Sequence, residues 1–448
     1  MPAYQALAER IQRLISAGVL KVGEALPSSR ALATELGLSR KTVVTAYERL
    51  TFAGWLTVRD RIGIFVADRT LNVENEGKAA ADMMVIDDGQ VDASIAPVGE
   101  LGRTLRQLFS GAAALDALGP TPTAGSPALR SALSRMVTEE RDLETTDEEI
   151  IVVGTRQAAF TVIAHSLLRA GDAVAISAPC NPLTRSALTA AGLIVVPIAV
   201  DSEGLRTEEL EKAVVHQNVR AVFTTPRHHY PTMVSLSASR RRELAKLAER
   251  HSLLVVEDDA DCDIRYESRP PHPLTSRTLR SHSVYVGSFA TTLSPGFEAA
   301  FVVTSSDNVR RLSRCATLYG VQTGGFMHEA LATMIESGDV RRHARRASRL
   351  YKERQDHLVE ALRTRLPDVV RFSVPTGGLA LWVEIGLPLS RPELTQRLEL
   401  QGLRMAIFDA PRGGLGLRIG YASLSLERID EMISRLSLAL RGVGTKGF

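Results

Sequence analysis

Cysteine is scarce in this chain of 448 residues: Cys180, Cys262 and Cys315 are scattered and lack the spacing of a metal site. An odd number of distant cysteines argues against a disulfide framework, so we expect structural thiols and a cytoplasmic protein. No apolar run approaches the roughly 18 residues that a membrane-spanning helix needs. The N-terminus lacks the apolar stretch of a secretory signal. We therefore expect no membrane partner and no metal.

Charge is nearly balanced over the whole chain but unevenly distributed. The net charge is +3, yet the first 69 residues carry ten Lys and Arg against six acidic residues, and the remainder carries 44 against 45. A basic head on a neutral body is typical of nucleic-acid-binding proteins, although a patch of this size is often only a solvated face. The length allows two or three domains, each with its own core.

The front of the chain has the pattern of a helix-turn-helix. Apolar residues recur at helical spacing over Leu7–Ile15. Ser28 or Ser29 can cap a second helix that Gly37 ends, and Ser39 can cap a third. Two helices joined by a glycine turn favour insertion of the second helix, by its N-terminal end, into the major groove of DNA.

A predicted hairpin, Trp55–Val58 with Ile62–Val66, follows as a wing. The chain contains the motifs Leu26-Pro-Ser-Ser-Arg-x-Leu-Ala33 and Leu36-Gly-Leu-Ser-Arg-x-Thr-Val-x-x-Ala-Tyr47. Through these motifs, residues 1–68 resemble the winged helix of the GntR superfamily. Arginine suits guanine, whereas lysine and threonine more often hold phosphate. Helical spacing predicts that Tyr47 belongs to the core. The resemblance implies DNA contacts by Ser29, Arg30, Ser39, Arg40, Lys41, Thr42, Arg59, Arg61 and Gly63.

Beyond a polar linker predicted at residues 69–85, apolar strands alternate with helical stretches, which indicates an α/β body with a mainly parallel sheet. A small α+β part is predicted from about residue 340 within a body of residues 86–448. The predicted strands are Ile150–Val153, Ala173–Ile176, Ile194–Ile198, Ala221–Thr224, Leu253–Val256, Val284–Val286, Ala300–Val303, Leu379–Glu384 and Gly416–Gly420.

The body resembles a fold-type-I aminotransferase, a family that uses pyridoxal phosphate. The landmarks stand in the family's order: Ala124–Arg130, Gly154–Gln157, Thr225–Thr232, Glu257–Ala260, Gly377–Gly378 and Arg418. A GntR head on such a body is the architecture of the MocR/GabR regulators. By the resemblance, Thr155, Arg156 and Gln157 form the turn that holds phosphate at a helix N-terminus, and Asp258 pairs with the pyridinium nitrogen.

The residue that departs most from the family is Thr291, which occupies the position of the lysine that forms a Schiff base with the cofactor. A hydroxyl cannot form an imine, and no lysine lies between Lys246 and Lys352 to replace it. We therefore expect no pyridoxal phosphate, although non-covalent binding stays open.

Three further departures fall at the same site. Ala260 replaces the tyrosine expected near the cofactor's hydroxyl, Glu298 replaces the arginine expected at the phosphate, and Asn181 replaces an aromatic residue. A carboxylate about 4 Å from a phosphate costs on the order of 4 kcal/mol per charge pair at an effective dielectric constant near 20. These losses predict a pocket that is rebuilt or decayed.

The remaining polar residues of the predicted pocket allow more than one interpretation. Arg418 is either a clamp for a ligand carboxylate or part of a structural ion pair. His228 and His229 lack a further metal ligand at useful spacing, which favours hydrogen-bonded loop histidines. The predicted effector pocket comprises Thr155, Arg156, Gln157, Asn181, His228, Tyr230, Asp258, Ala260, Ser288, Thr291, Glu298 and Arg418.

The sequence thus predicts a homodimeric transcription regulator that binds double-stranded DNA and senses a small effector, plausibly a carboxylate, without catalysis. Two alternatives stay open: an aminotransferase or cofactor-binding regulator with an accessory DNA-binding head, and a scaffold whose body only dimerises.

Overall fold

The computed structural model describes residues 4, 7, 8, 10, 11, 24–52, 56–59, 63–66, 83–111, 114–259, 261–266, 272–275 and 282–441. The chain divides into two compact units, Met1–Met83 and Met84–Phe448, called here the head and the body.

The head contains the predicted helix pair and hairpin. Helix α1 (Ser29–Leu36) is capped by the side chain of Ser28, and Gly37 ends it in the left-handed conformation that glycine adopts without strain. Helix α2 (Arg40–Phe52) follows at once. Strands β1 (Leu56–Arg59) and β2 (Gly63–Val66) pair antiparallel.

A small apolar core holds these elements together. Leu7 and Ile11 of an N-terminal helical segment pack with Val43, Tyr47 and Leu56. Tyr47 is 2% exposed, as predicted, and its hydroxyl donates to the backbone oxygen of Pro27 at 2.9 Å. Burial, with a smaller contribution from Glu35, raises the pKa of Tyr47 to about 12.

The body is an α/β structure of many short elements. Its helices are α3 (Val98–Ser110), α4 (Ala114–Leu118), α5 (Pro127–Arg141), α6 (Arg156–Leu167), α7 (Pro182–Ala190), α8 (Thr207–Gln217), α9 (Ala238–His251), α10 (Ser306–Tyr319), α11 (Gly325–Glu336), α12 (Asp339–Arg365), α13 (Arg391–Leu400) and α14 (Leu426–Arg441). Its strands are β3 (Met84–Val85), β4 (Ile150–Val153), β5 (Ala173–Ala178), β6 (Ile194–Asp201), β7 (Gly204–Leu205), β8 (Val219–Thr224), β9 (Leu254–Asp258), β10 (Ser283–Ser288), β11 (Ala300–Val303), β12 (Val370–Phe372), β13 (Ala380–Ile385), β14 (Leu403–Arg404), β15 (Ile407–Asp409) and β16 (Leu415–Gly420).

Eight strands form the large sheet in the order β4-β11-β10-β9-β8-β5-β6-β7. The run from β10 to β6 is parallel, whereas β11 pairs antiparallel with both neighbours and β7 pairs antiparallel with β6. Helices pack against the sheet through clusters of buried apolar side chains. The predicted mainly parallel α/β sheet is confirmed.

The C-terminal part of the body has its own sheet, β12-β13-β16-β15, packed on α12 and α14. Strand β3 pairs in parallel with β14, and Met84 is buried there. The body therefore begins at Met84 and includes the last residues of the linker predicted at residues 69–85. Residues 69–82 of that prediction lie outside the described residues. No helix in the described ranges is long and apolar enough to span a membrane.

Candidate functional site

The predicted DNA-contact residues of the head surround the N-terminus of α2. The hydroxyl of Ser39 accepts from the backbone nitrogen of Thr42 at 3.1 Å and lies 2.8 Å from its hydroxyl. Arg40 and Lys41 are exposed in the first turn of the helix, and Arg30 is exposed on α1. Two cations at a helix N-terminus, where the helix dipole already favours anions, form a surface suited to phosphate and base edges.

The remaining predicted contacts of the head are less defined. Ser29 is half-buried at the start of α1. Arg59 ends β1 and Gly63 begins β2, so both lie where the hairpin turns. Arg61 is outside the described residues.

In the body, several of the predicted pocket residues lie at the carboxyl ends of parallel strands, where α/β sheets usually bind ligands. Asp258 ends β9, and Ser288 ends β10. Thr155 caps α6, accepting from the backbone nitrogen of Ala158 at 3.1 Å. Asn181 caps α7, accepting from the backbone nitrogen of Leu183 at 2.9 Å. Sequence order therefore brings two helix N-termini to this edge of the sheet.

Arg156 forms an ion pair with Asp258. Its Nη1 lies 3.4 Å from both carboxylate oxygens, and the two side chains are 23% and 13% exposed. Burial raises the pKa of Asp258, although Arg156 opposes that shift. The carboxylate that the family offers to the pyridinium nitrogen is thus already paired with a cation from the predicted phosphate turn.

Beside this pair lies a cavity of about 30 Å³, lined by residues that include Cys180, Asn181, His229, Tyr230 and Asp258. This is room for one or two water molecules, whereas ligand pockets usually measure about 300–1,000 Å³. The Nδ1 of His229 lies 2.8 Å from the hydroxyl of Thr232, and its buried Nε2 has no partner among the described residues. Burial and then Arg418 lower the pKa of His229 to about 3, so this histidine is neutral.

Arg418 is buried on β16 and binds backbone oxygens instead of the carboxylate of an ion pair. Its Nε donates to the carbonyl of Asp88, and its Nη1 donates to the carbonyl of Pro231 at 3.0 Å. The guanidinium stacks on the ring of Tyr230 at 4.7 Å. Burial lowers the pKa of Arg418. Among the described residues its Nη2 makes no hydrogen bond, and this side of the guanidinium lies close to Gly89.

Two contacts near Arg418 were not predicted. The hydroxyl of Tyr230 donates to Asp88 at 2.6 Å, and burial followed by this bond raises the pKa of Tyr230. Met233 has a left-handed backbone conformation (φ 59°) that glycine adopts more readily. Its sulfur lies 2.8 Å from Nη1 of Arg418.

The other predicted pocket residues lie apart from this cavity. His228 pairs with Asp261 at 3.1 Å. Ser288 is buried and accepts from the backbone nitrogen of Ala290 at 3.2 Å. Thr291 and Gln157 are half-buried, and Glu298 is exposed. Of the described residues, neither Thr291 nor Glu298 lines the cavity, and Ala260 is outside the described residues.

A buried network of charged residues was not predicted from the sequence. Arg227 and Asp259 form an ion pair, and the hydroxyl of Tyr285 donates to Asp259 at 2.7 Å. Arg141 donates to that hydroxyl at 2.6 Å and to both oxygens of Asp263 at 2.9 Å. The members of this network come from distant parts of the chain, so their spacing in the sequence does not predict the contacts.

These residues do not fit pyridoxal phosphate. Asp258 is paired with Arg156, the cavity has room for little more than water, and Thr291 offers no amine. The Nε2 of His229 is a polar atom without a partner among the described residues, but the space beside it is too small for a pyridine ring. Nor are three His, Cys, Asp or Glu side chains placed to hold a metal in the part of the chain that the structure describes.

Each of the two units matches a known protein family. The description "Bacterial regulatory proteins, gntR family" matches residues 3–66, and "Aminotransferase class I and II" matches residues 112–436. The chain belongs to the aminotransferase class I and II family. Its front is a GntR-type winged helix, and the body has the fold-type-I architecture predicted from the sequence.

Relatives of this aminotransferase-family chain include named regulators. It is 27% identical to the probable rhizopine catabolism regulatory protein MocR of Rhizobium meliloti, over 100% of this chain and 95% of that protein. It is 28% identical to the HTH-type pyridoxine biosynthesis transcriptional regulator PdxR of Corynebacterium glutamicum, over 80% of this chain and 78% of that protein.

Among solved structures, the Pyrococcus horikoshii kynurenine aminotransferase is similar with a TM-score of 0.76 and 23% identity, over 84% of this chain and 95% of that one. The Thermococcus profundus multiple substrate aminotransferase is similar with a TM-score of 0.74 and 23% identity, over 83% of this chain and 94% of that one. These similarities show the fold of the body.

Proposed function

We propose that this protein is a DNA-binding transcription regulator whose body dimerises and senses a small effector without pyridoxal phosphate and without catalysis. The observation that carries the proposal is the combination of exposed Arg40 and Lys41 at the N-terminus of α2 with the pairing of Asp258 to Arg156. The first is a surface for DNA, and the second disables the cofactor site. Residues 1–68 are the proposed DNA-binding domain. The proposed location of the protein is the cytoplasm.

The proposed effector site is the Nη2 edge of Arg418, which stacks on Tyr230, a residue of the small cavity's lining. A buried guanidinium whose Nη2 makes no hydrogen bond to the described residues favours an anionic ligand group, and a carboxylate is the matching chemistry. Since this edge is narrow, the site opens when the ligand binds. A ligand that binds the folded state raises the melting temperature of the protein. Thermal-shift measurements with a panel of small carboxylates test this. A scaffold that only dimerises shows no such shift.

The head proposal is tested with two neighbouring variants. Arg40→Ala is expected to weaken binding at a specific site by about 1–3 kcal/mol and to relax base preference, because arginine suits the edge of guanine. Lys41→Ala is expected to weaken binding to all DNA sequences alike, because lysine contacts the phosphate backbone. Fluorescence anisotropy on operator and random duplexes measures both. Equal losses on the two duplexes for both variants contradict this assignment.

Dimerisation is proposed through an apolar patch on α3, α4 and α11. Leu115 and Leu118 are 81% and 65% exposed, and Phe109 lies 6.3 Å from Phe326 between ring centroids. Exposed apolar clusters of this kind mark interaction surfaces. The double variant Leu115→Glu/Leu118→Glu is expected to be monomeric at micromolar concentration in sedimentation velocity, because dimerisation would bury unpaired carboxylates.

The control for the dimer prediction is Leu400→Glu, because Leu400 on α13 is 74% exposed and lies outside the patch. This variant should sediment like wild type. A monomeric wild-type protein, or equal behaviour of the two variants, rules out the patch.

A further inference from the structure

Helix α12 carries a dense series of cations. Arg341, Arg345 and Arg349 follow one another at intervals of four residues and are exposed. Residues four apart lie on one face of a helix, about 6 Å apart along its axis. The next position of the series is the exposed Glu353, and Lys352, one residue before it, is half-buried and pairs with Asp356 at 2.5 Å. The three arginines therefore form a row about 12 Å long.

This row is one wall of a groove of about 720 Å³, whose opposite wall includes Glu139, Glu140, Asp263 and Arg265. We call it the arginine groove. Asp263 is neutralised by Arg141, from which it accepts at 2.9 Å. Among the acidic residues that line the groove, Glu139 and Glu140 are therefore left to offset the cations.

Those glutamates leave most of the row uncompensated. Glu140 lies 3.9 Å from Arg341, and burial, with Asp263 adding to it, raises the pKa of Glu140. Arg345 and Arg349 form no ion pair with any described residue within 4.0 Å. The lining of the arginine groove carries five cations and three acidic residues, so its net charge is positive, and Arg345 and Arg349 hold the part of that charge without an ion-pair partner among the described residues.

We propose that the arginine groove binds the phosphate backbone of DNA as a second contact surface, separate from the winged helix. The shape favours a linear polyanion, because the guanidiniums lie in a row along an open groove and do not converge on one point. Phosphates on one DNA strand advance about 3.4 Å along the duplex axis, so a row of about 12 Å spans three or four of them. Such contacts add affinity without sequence preference.

The proposal rests on the proposed function for its choice of DNA as the polyanion. A small phosphorylated ligand or an acidic peptide shares the charge, and the experiment distinguishes them. The variant is Arg341→Gln/Arg345→Gln/Arg349→Gln in the full chain. The matched control is Arg220→Gln/Arg242→Gln/Arg314→Gln, which removes the same charge from exposed arginines elsewhere on the body. Unchanged melting temperatures show that both variants fold.

The measurement is the dependence of DNA affinity on salt concentration. Each phosphate contact contributes about 0.9 to the slope of log affinity against log salt. The groove variant is expected to lose about 2–3 from this slope and at least tenfold in affinity at low salt, on specific and random duplexes alike. The control should lose less than 1. Binding of inorganic pyrophosphate is followed in parallel by phosphorus NMR.

Equal slopes for the groove variant and the control overturn the proposal, because net charge alone then explains the effect. Loss of pyrophosphate binding with an unchanged DNA slope also overturns it, in favour of a small phosphorylated ligand. Failure of wild type to bind any duplex contradicts the proposed function itself. Retained operator preference in the groove variant, with the slope reduced, supports both.

Discussion

Replacing Arg227 by alanine is expected to lower the free energy of unfolding of the body by about 3–5 kcal/mol. Arg227 and Asp259 have side chains that are 4% and 0% exposed, and Nε donates to Oδ1 at 2.8 Å. Truncation leaves the carboxylate of Asp259 buried, still accepting from the hydroxyl of Tyr285 but without its main cation. An uncompensated buried charge is one of the few causes of so large a loss. Urea unfolding at pH 7 measures it.

The loss should shrink as pH falls. Burial opposes ionisation of Asp259, but Arg227 and Arg141 outweigh it and hold the pKa of the carboxyl below its usual range. The wild-type contribution is therefore present above about pH 4 and is lost as pH falls through the lowered folded value. Without Arg227 the folded pKa of Asp259 should rise, so the variant regains stability relative to wild type on acidification. Unfolding at pH 5 tests the sign.

Arg250→Ala is the control, because Arg250 and Glu211 form an ion pair at 2.9 Å with side chains 62% and 46% exposed. Exposed pairs of this kind contribute less than about 1 kcal/mol. Similar losses for Arg227→Ala and Arg250→Ala, or a loss for Arg227→Ala that is independent of pH, contradict the assignment of Asp259 as a buried carboxylate that depends on Arg227.

Much of the fold was predictable because its signals are local. The strands Ile150–Val153 and Ala300–Val303 were predicted with the bounds they have, since continuous apolar runs mark strands buried on both faces. The caps of α1 depend on residues within one turn of the helix. The antiparallel direction of Ala300–Val303 was not predicted, because strand direction depends on how a long connection returns to the sheet.

The candidate site was predictable in membership but not in its contacts. Arg156 and Asp258 were both chosen, yet as holders of two different cofactor groups, and their pairing joins residues 102 positions apart. Of the two alternatives for Arg418, no ion pair is found among the described residues and the ligand clamp stays a prediction, whereas its donation to two backbone carbonyls was not predicted. Such contacts follow from tertiary packing, which residue type and spacing do not encode.

Glu298 is a weaker obstacle to the cofactor than the sequence suggested. Its predicted repulsion of a phosphate assumed a shielded site, but the side chain is exposed. In water a charge pair about 4 Å apart interacts by about 1 kcal/mol, and salt reduces this further. The ion pair of Arg156 with Asp258 is therefore the stronger obstacle to the cofactor.

Wild type is expected to show no visible Schiff-base absorbance on addition of pyridoxal phosphate, and Thr291→Lys alone only a weak band. A lysine restores the amine, but the cofactor must still displace Arg156 from Asp258. Adding Arg156→Gln frees that carboxylate and should raise cofactor affinity about tenfold to a hundredfold, since a charge-assisted hydrogen bond contributes about 1.5–3 kcal/mol. Absorbance before and after borohydride, titrated with the cofactor, measures this.

The deciding comparison is between two ways of repairing the site. Thr291→Lys/Arg156→Gln follows from the structure, whereas Thr291→Lys/Glu298→Arg/Ala260→Tyr follows from family resemblance alone. If the Arg156–Asp258 pair is the main obstacle, the double variant binds the cofactor more tightly than the triple variant. Effects should be non-additive, because all these groups meet one ligand. Strong binding by wild type contradicts a cofactor-independent body, and a stronger triple variant shows that Glu298 and Ala260 matter more than the ion pair.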